Sequence, residues 1–165
     1  MSQQIEADPF SEPPSAPLAA PLTAQQIVTD DLEALERQVQ AGARFLVTQL
    51  FFDNVHYFEF VARARARGIT VPIVPGVMPI TNYDQIERFT AMCGATIPAG
   101  LRAELEVRRN EPEAVAELGV AYATLQSAEL LERGAPGIHF YTLNKSPATR
   151  AVVSALYAAR SPALH

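Results

Sequence analysis

A chain of 165 residues with 48% hydrophobic and 19% charged residues has the composition of one folded domain with a core, not of a disordered or fibrous polymer. Its net charge of −5 and pI near 5.2, without clustered Lys or Arg, argue against a nucleic-acid surface, which must neutralise phosphates. The single Cys93 excludes an intramolecular disulfide or a multi-cysteine metal site, and no stretch approaches the roughly 20 apolar residues of a membrane span, so the reading is a cytoplasmic protein.

Residues 1–24 hold Pro9, Pro13, Pro14, Pro17 and Pro21 among Ser, Ala and Glu, and read as a disordered Pro-rich arm, with the folded part at 25–165. Thr29 is a good N-cap, Asp30 and Asp31 suit a first turn, and Val28, Leu32, Leu35 and Val39 form an apolar stripe that ends at Gly42. Arg44 to Phe52 is nearly continuously apolar and predicts a strand buried on both faces. Asp53 or Asn54 caps the next helix, which carries Phe58, Val61 and Ala62 on one side and stops at Gly68.

A second strand is predicted over Ile69–Val74, stopped by Pro75-Gly76, and a helix capped by Thr81 follows with Tyr83, Ile86, Phe89 and Cys93 as its stripe. Cys93 reads there as a small buried apolar residue. Beyond a polar stretch with Pro98 and Gly100, a helix is predicted from Pro112 to Arg133, with Val115, Leu118, Tyr122 and Leu125 on one face and Gly134 closing it. Gly137–Thr142 gives a third strand, and Ser146-Pro147 opens the last helix.

Alternating strands and helices make an α/β protein with a parallel sheet, and right-handed crossovers leave an open doubly wound sheet or an eight-stranded barrel. Three strands are too few to close a barrel, which takes about 250 residues. In either architecture the site lies at the C-terminal ends of the strands, so the informative strings are Thr48-Gln49-Leu50-Phe51-Phe52-Asp53, Pro75-Gly76-Val77-Met78-Pro79 and Tyr141-Thr142-Leu143-Asn144-Lys145.

In order and spacing these strings resemble the TQ-FFD, PG-(I/V)-(M/L)-P and HFYTLN segments of methylenetetrahydrofolate reductases, over roughly residues 27 to 157. The resemblance implies a partial (β/α)8 TIM barrel, about three C-terminal β/α units. It implies a flavoprotein oxidoreductase of folate and one-carbon metabolism, serving methionine biosynthesis, in which FAD passes a hydride from NAD(P)H to 5,10-methylenetetrahydrofolate.

For substrate binding the resemblance implies Gln49, Phe89 and Lys145. A carboxamide suits the donor and acceptor edge of a pterin. Phe89 corresponds to a phenylalanine that packs on folate or nicotinamide, although its place in a helix stripe also fits core. Lys145 stands where the family usually has an arginine, which keeps the charge but loses the bidentate fork. Asp31, Ala34, Arg37 and Gln38 fall on flavin-contacting positions, Gln38 where the family usually has a lysine.

No catalytic residue is assigned, since the family's catalytic glutamate and its flavin-tuning aspartate have no counterpart in this sequence. That implies a chain not competent alone, a homo-oligomer, or a non-catalytic half-barrel needing a partner that supplies the missing strands and the glutamate. Asp53 and His56 are too few for a metal site, and His139 reads as a core histidine.

Overall fold

A computed structural model describes residues 24–143 and 146–160. They form α1 (Ala24–Gln40), β1 (Leu46–Leu50), α2 (Asn54–Ala66), β2 (Ile73–Val77), α3 (Tyr83–Cys93), α4 (Ala99–Val107), α5 (Pro112–Glu132), β3 (His139–Phe140) and α6 (Ser146–Arg160). The strands are parallel in the order β1-β2-β3. No reversal of strand order, the mark of a doubly wound sheet, occurs among them, and they succeed one another as the units of a β/α barrel do. The fold is part of such a barrel. The Pro-rich arm expected over 1–24 falls outside the described residues except for Ala24, which opens α1.

One core cluster fills the space between the sheet and its helices. Leu46 from β1 and Ile73 and Val77 from β2 meet Leu32, Tyr57, Ala64, Ala123, Leu130 and Val152 from α1, α2, α5 and α6. Leu130 and Val152 are fully buried, and each such side chain contributes about 1.5–3 kcal/mol. A second cluster sits at the strand ends, where Leu50, Phe52, Met78 and Ile80 pack against Ile86 of α3, Leu101 and Leu105 of α4 and Val115 of α5.

Several elements differ from the sequence reading. α1 begins at Ala24, so Thr29 lies inside it rather than capping it; Ala24, Gln25 and Gln26 favour helix and extend it backward. β1 is buried on one face only, with Val47 and Gln49 exposed, because the described helices that pack on the first cluster cover only the Leu46 side. In α2 the buried positions are Asn54, Tyr57 and Ala64, while Ala62 is exposed. The expected cap Thr81 gives way to Asn82, whose side chain accepts from Gln85 N at 2.8 Å.

α4 occupies the stretch read as polar: Pro98 takes the N-cap and Gly100 the first turn, where neither costs much, and Leu101 and Leu105 are buried one turn apart. In α5, Leu125 is 72% exposed, and Gly119, Ala123 and Ser127 are buried instead. His139 is exposed rather than core, since it lies on the sheet face away from the first cluster, paired with Gly76. Cys93 is half-buried, not fully buried.

Pro75 and Gly76 do not stop β2 but lie within it. The β1-β2 ladder shifts register between Val47 and Leu50, and there Gly76 N donates to the Thr48 hydroxyl at 2.9 Å instead of to a carbonyl. A side-chain hydroxyl thus serves as the acceptor for the N–H that follows Pro75, which itself has none to give.

Candidate functional site

The C-terminal ends of the three strands are fastened together. Thr48 Oγ1 accepts from Gly76 N and donates to Gln49 O at 2.9 Å, joining β1 to β2. Tyr141, just past β3, donates its N–H to Val77 O at 2.9 Å and its hydroxyl to Thr48 O at 3.0 Å. That second bond spans the middle strand. It is possible because Gly76 has no Cβ: one placed there would stand 2.6 Å from both Thr48 O and the Tyr141 ring. His139 meets the Tyr141 ring edge-on at 4.8 Å. Leu143, the next turn, has φ of +48°, a left-handed conformation that costs a non-glycine residue energy and that recurs where backbone is shaped for a ligand.

Gln49 is exposed at the end of β1. Its carboxamide oxygen accepts from Leu50 N at 3.0 Å, so the NH₂ donors are the part it presents outward. Beside it lies a cavity of about 360 Å³, where Gln49 meets Ala34 and Gln38 of α1, His56, Phe51 and Phe60. Three residues singled out from sequence therefore share one wall. Arg37 is exposed on α1 and is not part of that lining, the side chain of Asp31 lies outside the described residues, and so does Lys145. Phe89 is half-buried against the second core cluster.

A smaller hollow of about 20 Å³ lies between the ends of β2 and β3, lined by Met78, Thr81, Gln85, Tyr141, Thr142 and Leu143. It holds little more than one water. Sequence reasoning passed over Gln85 and read Tyr141 only as part of its strand-end string; the available signal was a glutamine between the apolar positions Tyr83 and Ile86, and an aromatic facing a glycine in the neighbouring strand.

The cavity beside Gln49 fits part of a dinucleotide at most. Its volume is near the lower end for a drug-sized ligand, and its lining offers Gln38 and His56 but no Lys or Arg to face a pyrophosphate. The described residues do not by themselves make an FAD site. Nor, among them, do three or more His, Cys, Asp or Glu group in a way that would hold a metal. Asp53 is instead the N-cap of α2, accepting from Val55 N at 3.0 Å. No described helix is long and apolar enough to cross a membrane.

The family model for methylenetetrahydrofolate reductase matches residues 10–157, reaching back into the proline-rich stretch. Methylenetetrahydrofolate reductase (NADH) 1 of Arabidopsis thaliana is 40% identical over 140 residues, 85% of this chain and 22% of that protein. The probable methylenetetrahydrofolate reductase (NADPH) of Caenorhabditis elegans is 37% identical over 127 residues, covering 76% of this chain and 19% of that one. The 5,10-methylenetetrahydrofolate reductase of Pectobacterium carotovorum subsp. carotovorum is 34% identical over 126 residues, 76% of this chain and 42% of its own length. The chain thus spans about a fifth of the length of the first two relatives and 42% of the third. Among solved structures, an uncharacterized protein from Clostridium thermocellum, described as binding two copies of 5-methyl-5,6,7,8-tetrahydrofolic acid, has the same fold with a TM-score of 0.53 at 19% identity, covering 79% of this chain and 48% of that one.

Proposed function

This chain belongs to the methylenetetrahydrofolate reductase family, and we propose that it supplies folate-facing strand ends to an enzyme reducing 5,10-methylenetetrahydrofolate to 5-methyltetrahydrofolate with NAD(P)H and FAD. The observation that carries this reading is the convergence of Thr48, Gly76 and Tyr141, one from each family-like string, at one end of the sheet beside the exposed Gln49. The similar fold of a protein described as binding 5-methyltetrahydrofolic acid supports the folate side.

In this reading Gln49 directs its NH₂ donors at acceptors on the pterin edge, Phe89 packs on the folate or nicotinamide ring, and Lys145 holds a substrate carboxylate through its charge alone. Asp31, Ala34, Arg37 and Gln38 line the flavin side of α1. When bound, FAD supplies the hydride relay; the protein's part is to position the ligands. The carboxylic acid that serves proton transfer comes from polypeptide outside these 165 residues, together with the strands that close the barrel. The enzyme works in the cytoplasm, in the one-carbon metabolism that feeds methionine biosynthesis.

A second reading rests on the edge strand. Phe45 is 60% and Val47 41% exposed beside β1, an unpaired apolar edge of the kind proteins cover. It makes the chain a half-barrel that associates with a complementing half, or with a second copy, without catalysing anything itself.

Visible absorption of the purified chain with added FAD, followed by NAD(P)H-dependent folate reduction, tests these readings. The chain alone is expected to retain no stoichiometric flavin, and addition of a polypeptide carrying the earlier barrel strands is expected to restore both flavin and turnover. Full activity of the chain alone overturns the need for further strands. A reconstituted barrel that binds flavin but leaves the folate unreduced overturns the enzyme assignment and favours the second reading.

A further inference from the structure

β1 is irregular at the residue it offers to the site. Val47 pairs with Val74 and Leu50 with Gly76, so Thr48 and Gln49 stand opposite the single Pro75, an extra residue on β1. A bulge of this kind breaks the ladder and bends the strand, and bulges recur beside functional sites because they re-aim a side chain. The ladder does not fix that aim here: Pro75 has no N–H to give, so the backbone around Gln49 takes bonds from elsewhere.

Two hydroxyls supply them. Thr48 Oγ1 accepts from Gly76 N and donates to Gln49 O, both at 2.9 Å, so one side chain grips the peptide after Gln49 and ties it to β2. The Tyr141 hydroxyl, from just past β3, donates to Thr48 O at 3.0 Å and grips the peptide before Gln49. Between these two fixed carbonyls the Gln49 carboxamide folds back: its Oε1 accepts from Leu50 N at 3.0 Å, and the NH₂ is left to face outward.

Tyr141 is itself well held. Its N–H is bonded to Val77 O at 2.9 Å, its ring crosses Gly76 where a Cβ would stand 2.6 Å away, and it packs against the second core cluster and the edge of His139. The N–H already joins β3 to β2. The hydroxyl serves a different partner, the carbonyl that adjoins Gln49 at the bulge.

We propose that Tyr141 is a positioning residue for Gln49: acting through the Thr48 carbonyl, its hydroxyl holds the bulge in the shape that aims the Gln49 NH₂ donors at the pterin edge. The Thr48 hydroxyl is the other half of the same device. This rests on the reading of Gln49 as the folate contact; Tyr141 itself touches no ligand.

The test is a double-mutant cycle on Tyr141→Phe and Gln49→Ala, with calorimetric titration of the full chain by 5-methyltetrahydrofolate. Tyr141→Phe is expected to weaken binding by about fivefold, the worth of one hydrogen bond, where Gln49 is present, and to change nothing further in Gln49→Ala. Thr48→Val, which loses the hydroxyl, behaves like Tyr141→Phe, and Thr48→Ser, which keeps it, binds like wild type; this pair decides the question if Tyr141→Phe does not fold. A tie that only stabilised the sheet would lower Tm and leave the affinity of the folded chain alone. An equal loss in both Gln49 backgrounds overturns the proposal, as does undiminished affinity in Tyr141→Phe and Thr48→Val.

The side-chain amide proton signals of Gln49, assigned by their loss in Gln49→Ala, read the aim without ligand. They are expected to stand apart from those of a freely rotating glutamine in wild type and Thr48→Ser, and to collapse toward them in Tyr141→Phe and Thr48→Val. Wild type that binds no folate, or binds it equally well after Gln49→Ala, sinks the reading of Gln49 and leaves this second readout standing. Amide signals that move in neither variant overturn the positioning role, whatever the folate does.

Discussion

The Tyr141 hydroxyl crosses Gly76 to donate a 3.0 Å hydrogen bond to the Thr48 carbonyl, so the first and third strands are tied directly over the second. Both partners and the glycine belong to the strand-end strings. Removing the hydroxyl by Tyr141→Phe leaves a half-buried carbonyl without its donor and is expected to cost about 1 kcal/mol, or roughly 2–4 °C in Tm for a chain of this size. Gly76→Ala is the harsher change. Its Cβ would meet Thr48 O, a backbone atom that cannot swing aside, and a loss of about 1–3 kcal/mol is expected in thermal unfolding.

Helix propensity and packing oppose one another at Gly119. In the interior of a helix, alanine is favoured over glycine by about 1 kcal/mol. A Cβ at this position of α5 would lie 1.8 Å from Ile80 O and 2.6 Å from Ile80 C, well inside contact distance. Packing wins. Gly119→Ala is expected to lower Tm or to abolish soluble folding, as read by circular dichroism, and a raised Tm would mean that α5 does not press on the loop after β2.

Acid should act through Glu129. Its carboxyl is held below the ordinary value of 4.5, first by the Asn54 amide and then by Arg133. A group depressed in the folded state contributes stability that is present above the unfolded value, and that stability is lost as pH falls through the folded one. Denaturant unfolding of wild type and Glu129→Gln is therefore expected to differ most near neutrality and to converge as pH falls below the usual carboxylate range. A gap that stays constant over that range would contradict this. The effect is small, since the carboxylate is largely exposed and screened by solvent.

Much of the architecture could be read from the residues because local chemistry decides it. Asp53 caps α2 by bonding Val55 N, Gly68 and Gly134 take the positive φ that ends a helix, and Ser146-Pro147 opens α6. Where distant residues decide, the reading failed. Nothing within Pro75-Gly76 reveals that a threonine hydroxyl on another strand will complete the ladder there. Pro98 and Gly100 look like breakers until Leu101 and Leu105 are seen to bury one side of α4. Gln49, Ala34 and Gln38 were found through resemblance, and only the fold brings them to one cavity. The exposed side of β1 was unforeseeable from an apolar run, since the run does not say which side the helices will cover.

Titration of the purified chain with 5-methyltetrahydrofolate, by calorimetry on wild type and Gln49→Ala, bears most directly on the folate-facing role of the strand ends. Gln49 is exposed and bonded only to its neighbour's N–H, so the substitution is expected to leave stability within about 0.5 kcal/mol. Saturable binding by wild type that weakens by about tenfold or more in Gln49→Ala is the predicted result, in keeping with the loss of a hydrogen-bonded contact. Wild type that binds no folate, or a variant that binds it equally well, would contradict the assignment of this face to the substrate.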